Sequence, residues 1–151
     1  MWTNEVSIDI EAPAADVYRY LADFARHREW SSAVMLELRQ LTPGPVGVGT
    51  EFEAAETKPS RVVTYSRITA LEPPHRIAWH SWFKKLMAAD WEFELTPASR
   101  GTKLVQRSRW QPGNPVMDLF HRLVRRRMIP VENQHSLERI KQALEVSVAR
   151  A

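Results

Sequence analysis

Apolar and polar residues alternate near the start of the chain, with Val6, Ile8 and Ile10 set against Ser7, Asp9 and Glu11. Period two marks a strand with one buried face. Ala12-Pro13 ends it. Pro13 and Asp16 suit the first turn of a helix, and Val17, Tyr20, Leu21 and Phe24 recur at helical spacing. The pattern predicts a short helix over 13–22 and a second over 24–30, ending at Trp30. From Val34 the period returns to two. Strands are expected from Val34, over 50–57, 61–71, 76–83, 86–96 and 102–111. Turn-rich breaks separate them, among them 42–49, Glu72-Pro73-Pro74 and 97–101. Short turns between successive strands argue for an antiparallel meander.

After Pro112-Gly113-Asn114-Pro115 the period changes again. Val116, Leu119, Phe120, Leu123 and Val124, then Leu137, Ile140, Leu144 and Val148, read as one amphipathic helix over 115–148. Pro130 lies inside it. Proline lacks the backbone donor and crowds the preceding turn, so a kink is expected at 128–131. Unbroken, the helix would run about 50 Å, too long for so small a domain.

Helices set apart from an antiparallel run define an α+β domain. One apolar face on a twisted seven-stranded sheet needs one cover, and the long C-terminal helix is the element large enough. A curled sheet and a straight rod do not touch everywhere. The gap is filled by large side chains or left as a cavity.

The segment Ile8–Asp23 (IDIEAPAADVYRYLAD) resembles the opening of START-like, helix-grip proteins, in particular the polyketide cyclase/dehydratase-like branch of the SRPBCC superfamily. Trp30 falls where that family has a tryptophan after the second helix. Gly44-Pro45-Val46-Gly47-Val48-Gly49-Thr50-Glu51-Phe52 is similar to its Gly-rich approach to the third strand. The segment 68–79, ITALEPPHRIAW, is similar to its strand–Pro-Pro–strand passage. The resemblance spans the whole chain, 1–151, as a single domain. It implies the helix-grip fold: a seven-stranded curved antiparallel sheet around a long kinked C-terminal helix, with two short helices after strand 1. It also implies an apolar small-molecule ligand such as a lipid or polyketide, with catalysis in some members. The fold alone does not choose among these.

Composition narrows the chemistry. The chain has 151 residues, enough for one core. It has no cysteine, which removes disulfides, thiolate-ligated metal and a thiol nucleophile. No apolar run reaches the ~20 residues of a membrane span, and no secretory pattern opens the chain, so a cytoplasmic location without an integral membrane segment is expected. The net charge of +3 is spread out, apart from Arg125-Arg126-Arg127. That argues against nucleic-acid binding. The arginines suit a helix C-terminal end, with an acidic ligand group or an anionic membrane surface as alternatives. Six tryptophans are many for this length, and such rings often line cavities.

The Gly-rich stretch precedes a strand and lacks the following Lys of a phosphate loop, so it reads as a hairpin loop. The five histidines, His27, His75, His80, His121 and His135, lack the converging spacing of a metal site and read as surface or lightly packed. No cofactor or metal is expected. No nucleophile elbow is present. Strand phase instead places a few polar groups on an apolar wall, as ligand sites require. The expected pocket comprises Trp30, Phe52, Glu56, Thr64, Ser66, Trp79, Ser81, Trp91, Gln106, Ser108, Trp110, Phe120 and Leu123. Glu56 is the candidate general acid or base, if desolvation tunes it; its alternative is a solvated strand end. Trp82 has the opposite phase and, beside Lys84 and Lys85, suggests an outer patch for a partner or a homodimer. Three functions stay open: an apolar-ligand binder or carrier, a cyclase/dehydratase-type enzyme, and a protein-interaction module.

Overall fold

A computed structural model describes residues 1–32, 34–58 and 61–150. Seven strands form one sheet: β1 (Trp2–Ile10), β2 (Val34–Gln40), β3 (Glu51–Lys58), β4 (Val62–Glu72), β5 (Arg76–Phe83), β6 (Met87–Ala98) and β7 (Gly101–Pro112). Their order is β1-β7-β6-β5-β4-β3-β2. Every neighbouring pair is antiparallel. After β1 come α1 (Ala14–Ala22), a 3₁₀ turn over Phe24–Arg26 and α2 (His27–Trp30). The chain ends in α3 (Pro115–Phe120), a π-helical turn over His121–Arg125 and α4 (Arg126–Arg150). This is the expected helix-grip architecture.

β1 begins at Trp2, four residues before the sequence reading places it. Trp2 and Asn4 extend the same alternation and pair with Trp110 and Ser108 on β7. Gly101 adopts φ +154, and a Cβ there would lie 2.2 Å from the Ile10 carbonyl oxygen. Glycine is therefore required where β7 starts beside the end of β1.

The helix irregularity lies upstream of the position expected from Pro130. α4 runs through Pro130, and the departure is the π turn at 121–125, closed by Arg126 N–H on the His121 carbonyl. Packing explains the difference. Residues eight apart on an α-helix are out of line by roughly a fifth of a turn, and a wider π turn removes that offset. His121 and Ile129 are both buried as a result.

The inner face of the sheet divides along the strands. At one end, called here the base, Ile10, Phe52, Ile68, Ile77, Phe93, Leu95 and Leu104 are buried, together with Val17, Leu21 and Phe24 of the covering segments. α1 packs against β5, β6 and β7, and α4 lies mainly along β1. At the other end, the mouth, Met35, Glu56, Thr64, Ser66, Ser81, Phe83, Met87, Trp91 and Trp110 share the inner phase but are only half-buried.

Candidate functional site

The base is a packed aromatic cluster. Trp79 meets Phe24, Trp30 and Phe93 at ring separations of 6.0, 6.3 and 5.4 Å. Phe24 stacks on Phe52 at 5.2 Å. Three residues of the expected pocket, Trp30, Phe52 and Trp79, are thus core here, each no more than 5% exposed. His27 lies against Trp30 and Trp79. Desolvation of its ring lowers its pKa to about 4, so it stays neutral at physiological pH.

Trp91 stacks on Trp79 at 5.9 Å and carries the aromatic line up to the mouth. There it meets Trp110 edge-on at 5.2 Å. Both indoles are held by hydrogen bonds: Trp91 Nε1–H donates to Ser81 Oγ at 2.9 Å, and Trp110 Nε1–H to Ser108 Oγ at 3.1 Å. On the β3–β4 side, Thr64 Oγ1 donates to Glu56 Oε1 at 2.9 Å. Burial raises the Glu56 pKa above the ordinary carboxylate range, and the Thr64 bond opposes the rise. Glu56 therefore faces the mouth half-buried, rather than sitting in open solvent. Ser66 pairs across the sheet with Phe52 and Ser81.

A polar strip runs under α4. Gln106 and Ser108 are buried. Asn133, also buried, donates through Nδ2 to Ser108 Oγ at 3.5 Å. His121 is 1% exposed, against the expectation of surface histidines. The π turn aims it inward, where its ring lies 5.6 Å from Trp2 and 6.0 Å from Trp110. Desolvation, aided by the Arg125 cation, lowers its pKa. Four buried polar atoms are unpaired within the described residues: Asn4 Nδ2, Trp30 Nε1, Gln106 Oε1 and His121 Nδ1. Such atoms are nearly always satisfied in folded proteins. Two of these residues, Asn4 and Gln106, lie on β1 and β7 beneath the terminal helix, and His121 points from that helix toward the same side.

Phe120 and Leu123, also expected in the pocket, are 46% and 70% exposed on the helix rather than enclosed. Sequence reasoning missed Trp2, Asn4, Met35, Met87, His121 and Asn133. Asn133 carried a signal, since it continues the buried stripe Ile129, Leu137, Ile140 and Leu144 at helical spacing. Two open grooves lie elsewhere: one on the outward side of α4, from His135 to Glu145, the other between α1 and Pro73-Pro74. Neither is lined by a residue of the expected pocket. Among the described residues, no group of three or more His, Cys, Asp or Glu is placed to hold a metal. None of their helices is long and apolar enough to cross a membrane. Trp82 lies on the outer face, stacked with Tyr65 and His80 beneath Arg67, and is half-buried.

A concave sheet with apolar walls, inward indoles and a few placed polar groups defines a hydrophobic-ligand-binding fold. The chain belongs to the family described as polyketide cyclase / dehydrase and lipid transport, whose model matches residues 1–145. This places it in the START-like SRPBCC superfamily. It is 32% identical over 100 residues to the uncharacterized protein Rv0088 of Mycobacterium tuberculosis (strain ATCC 25618 / H37Rv), a match covering 60% of this chain and 41% of that one. The chain thus spans well under two thirds of that relative. Among solved structures, it is similar to the di-domain ARO/CYC StfQ from the steffimycin biosynthetic pathway, with TM-score 0.77 and 20% identity over 97% of this chain and 51% of that one. It is also similar to protein SA2116 of unknown function from Staphylococcus aureus, with TM-score 0.76 and 11% identity over 98% and 96% of the two chains. At these identities the structural likenesses establish the fold.

Proposed function

We propose that the protein binds a small hydrophobic molecule bearing neutral oxygen functions, held at the mouth between β3–β7 and the terminal helix. One observation carries the reading: Trp91 and Trp110 are inward yet half-buried, with their indole N–H groups fixed, and they adjoin buried polar atoms that lack partners. Rings held in this way offer a flat apolar surface at little entropic cost. Gln106 Oε1 offers an acceptor, and the Asn4 amide a donor, to a hydroxyl or carbonyl. The charged side chains near the strip are already engaged: Arg125 is paired with Glu132 at 3.2 Å and stacked over Trp110. A neutral ligand head fits that setting better than an ionised one.

Native mass spectrometry after incubation with fatty acids and multi-ring aromatic ketones tests this. A one-to-one complex is expected, weakened in Ser81→Trp, which fills the space beside Trp91. Absence of any complex, or binding indifferent to Ser81→Trp, would refute it.

The Glu56–Thr64 pair favours a second reading, acid–base catalysis on the bound molecule. A carboxyl raised by desolvation is poised for proton transfer. Under that reading Glu56→Gln abolishes turnover of a bound polyketide-like ketone while leaving its affinity intact. Unchanged turnover would remove Glu56 from any chemical role.

A further inference from the structure

The first half of the terminal helix has two faces of different fate. His121 and Ile129 point inward and are buried. Val116, Leu119, Leu123 and Val131 are 75%, 55%, 70% and 56% exposed, and Phe120 and Met128 are also exposed. These residues recur at three- and four-residue spacing, so they form a stripe and not a scatter. The π turn that brings His121 and Ile129 into line inside keeps Phe120 and Met128, eight residues apart, in line outside. A stripe of this length on a water-soluble surface marks an interaction site.

The charge around it is one-sided. Residues 115–131 contain four arginines and one acidic residue, Asp118. Arg122 pairs with Asp118 at 3.0 Å, and Arg125 pairs with Glu132. Among the described residues, Arg126 and Arg127 form no ion pair; the Arg126 guanidinium sits 4.9 Å over the Trp2 ring. Arg126 is thus held on the Trp2 side of the helix, and the exposed, unpaired Arg127, four residues from both Leu123 and Val131, shares the face of the apolar stripe. A two-fold contact with a second copy would bring together two segments that each carry four arginines and one acidic residue, which costs free energy. An anionic lipid surface takes both features at once: leucine, valine and phenylalanine enter the acyl boundary while arginines meet the headgroups.

We propose that the half-helix spanning 115–131 docks the protein peripherally on anionic lipid bilayers, with Leu119, Leu123 and Phe120 inserted and Arg127 on the headgroups. The contact is independent of what the mouth binds, since vesicle association requires no bound ligand. None of the described helices is long and apolar enough to cross the bilayer; the helix lies along it while its opposite face stays packed on Trp2 and Trp110.

Flotation of the full chain with phosphatidylcholine vesicles, with and without an equal share of phosphatidylglycerol, tests the proposal. Retention is expected on the mixed vesicles and not on phosphatidylcholine alone, and it should fall with added salt. Arg127→Gln should weaken association about fivefold, as expected for one cation near such a surface. Leu123→Ser should weaken it about tenfold, through lost apolar insertion. Both side chains are exposed, so circular dichroism and Tm should match wild type. A protein that ignores phosphatidylglycerol, or variants retained as well as wild type, would overturn the proposal. So would a concentration-dependent dimer that Leu123→Ser dissolves, appearing without vesicle binding, since it would give the stripe to a second copy.

Discussion

The base and the mouth of the sheet are built from the same strands yet behave as different materials. At the base, Trp79, Trp30, Phe93, Phe24 and Phe52 fill the space with rings and expose almost nothing. At the mouth, inward positions on the same strands carry Glu56, Thr64, Ser66 and Ser81 among Phe83, Met87, Trp91 and Trp110, all half-buried. The curl of the sheet and the line of α4 along β1 account for the contrast. Side chains close the gap where the 3₁₀ turn and α2 approach, and the inward side chains stay half-buried where only the helix start is near. Stability therefore resides at the base, and the proposed recognition at the mouth.

The largest effect should come from cutting the base. Trp79→Ala removes a buried ring and should cost about 3–5 kcal/mol, as other buried aromatic truncations do, read as a lowered urea midpoint. Trp110→Ala at the mouth should cost clearly less. Equal losses would erase the distinction between the two ends.

His27 gives the next largest effect, through pH. Its folded pKa of about 4 lies below the unfolded value near 6.5. The unfolded chain therefore binds the proton first, and the His27 contribution is complete above pH 6.5. It is lost as pH falls toward 4, by at most about 3 kcal/mol. His27→Phe should flatten that part of the Tm–pH curve; an unchanged curve would show the imidazole to be hydrated in the fold.

Gln106→Leu separates the two roles. Replacing a buried amide whose oxygen lacks a partner should leave stability unchanged or raise it by about 1 kcal/mol, while ligand affinity falls. A large loss of stability would mean that the amide is satisfied in the folded protein.

Glu56→Gln should have the smallest effect. Desolvation raises the folded pKa of Glu56, so the protonated form is favoured by folding. Its relative stabilisation is complete below the unfolded value near 4.5 and is lost as pH rises through the folded value. The glutamine variant should accordingly melt slightly above wild type at pH 7 and match it below pH 4.5, by calorimetry.

The sheet and most of its inward residues were legible because period two assigns faces directly; in β2 the bulge at Met35 breaks that period. Ile77, Trp79, Ser81 and Phe83 share a phase in the sequence and share the concave side in the fold. The split between base and mouth was not legible. Trp79 and Trp91 look alike in a strand pattern, and only the rings that reach Trp79 from the 3₁₀ turn and α2 make it core. The burial of His121 was hidden because it depends on Trp2 and Trp110, distant in sequence. The π turn escaped because it answers to packing on the sheet, whereas Pro130 drew attention as a local signal. Phe120 and Leu123 were read inward because helical period marks an apolar face without saying what covers it.

Photolabelling with a diazirine-bearing aromatic ketone, followed by peptide mapping, tests the central assignment most directly. The expected adducts fall on the inward mouth residues Met35, Ser66, Ser81, Met87 and Trp110, and they diminish when unlabelled ketone competes. Labels confined to the outward groove of α4 between His135 and Glu145, or to the groove beside Pro73-Pro74, would contradict the account and move the ligand off the concave face.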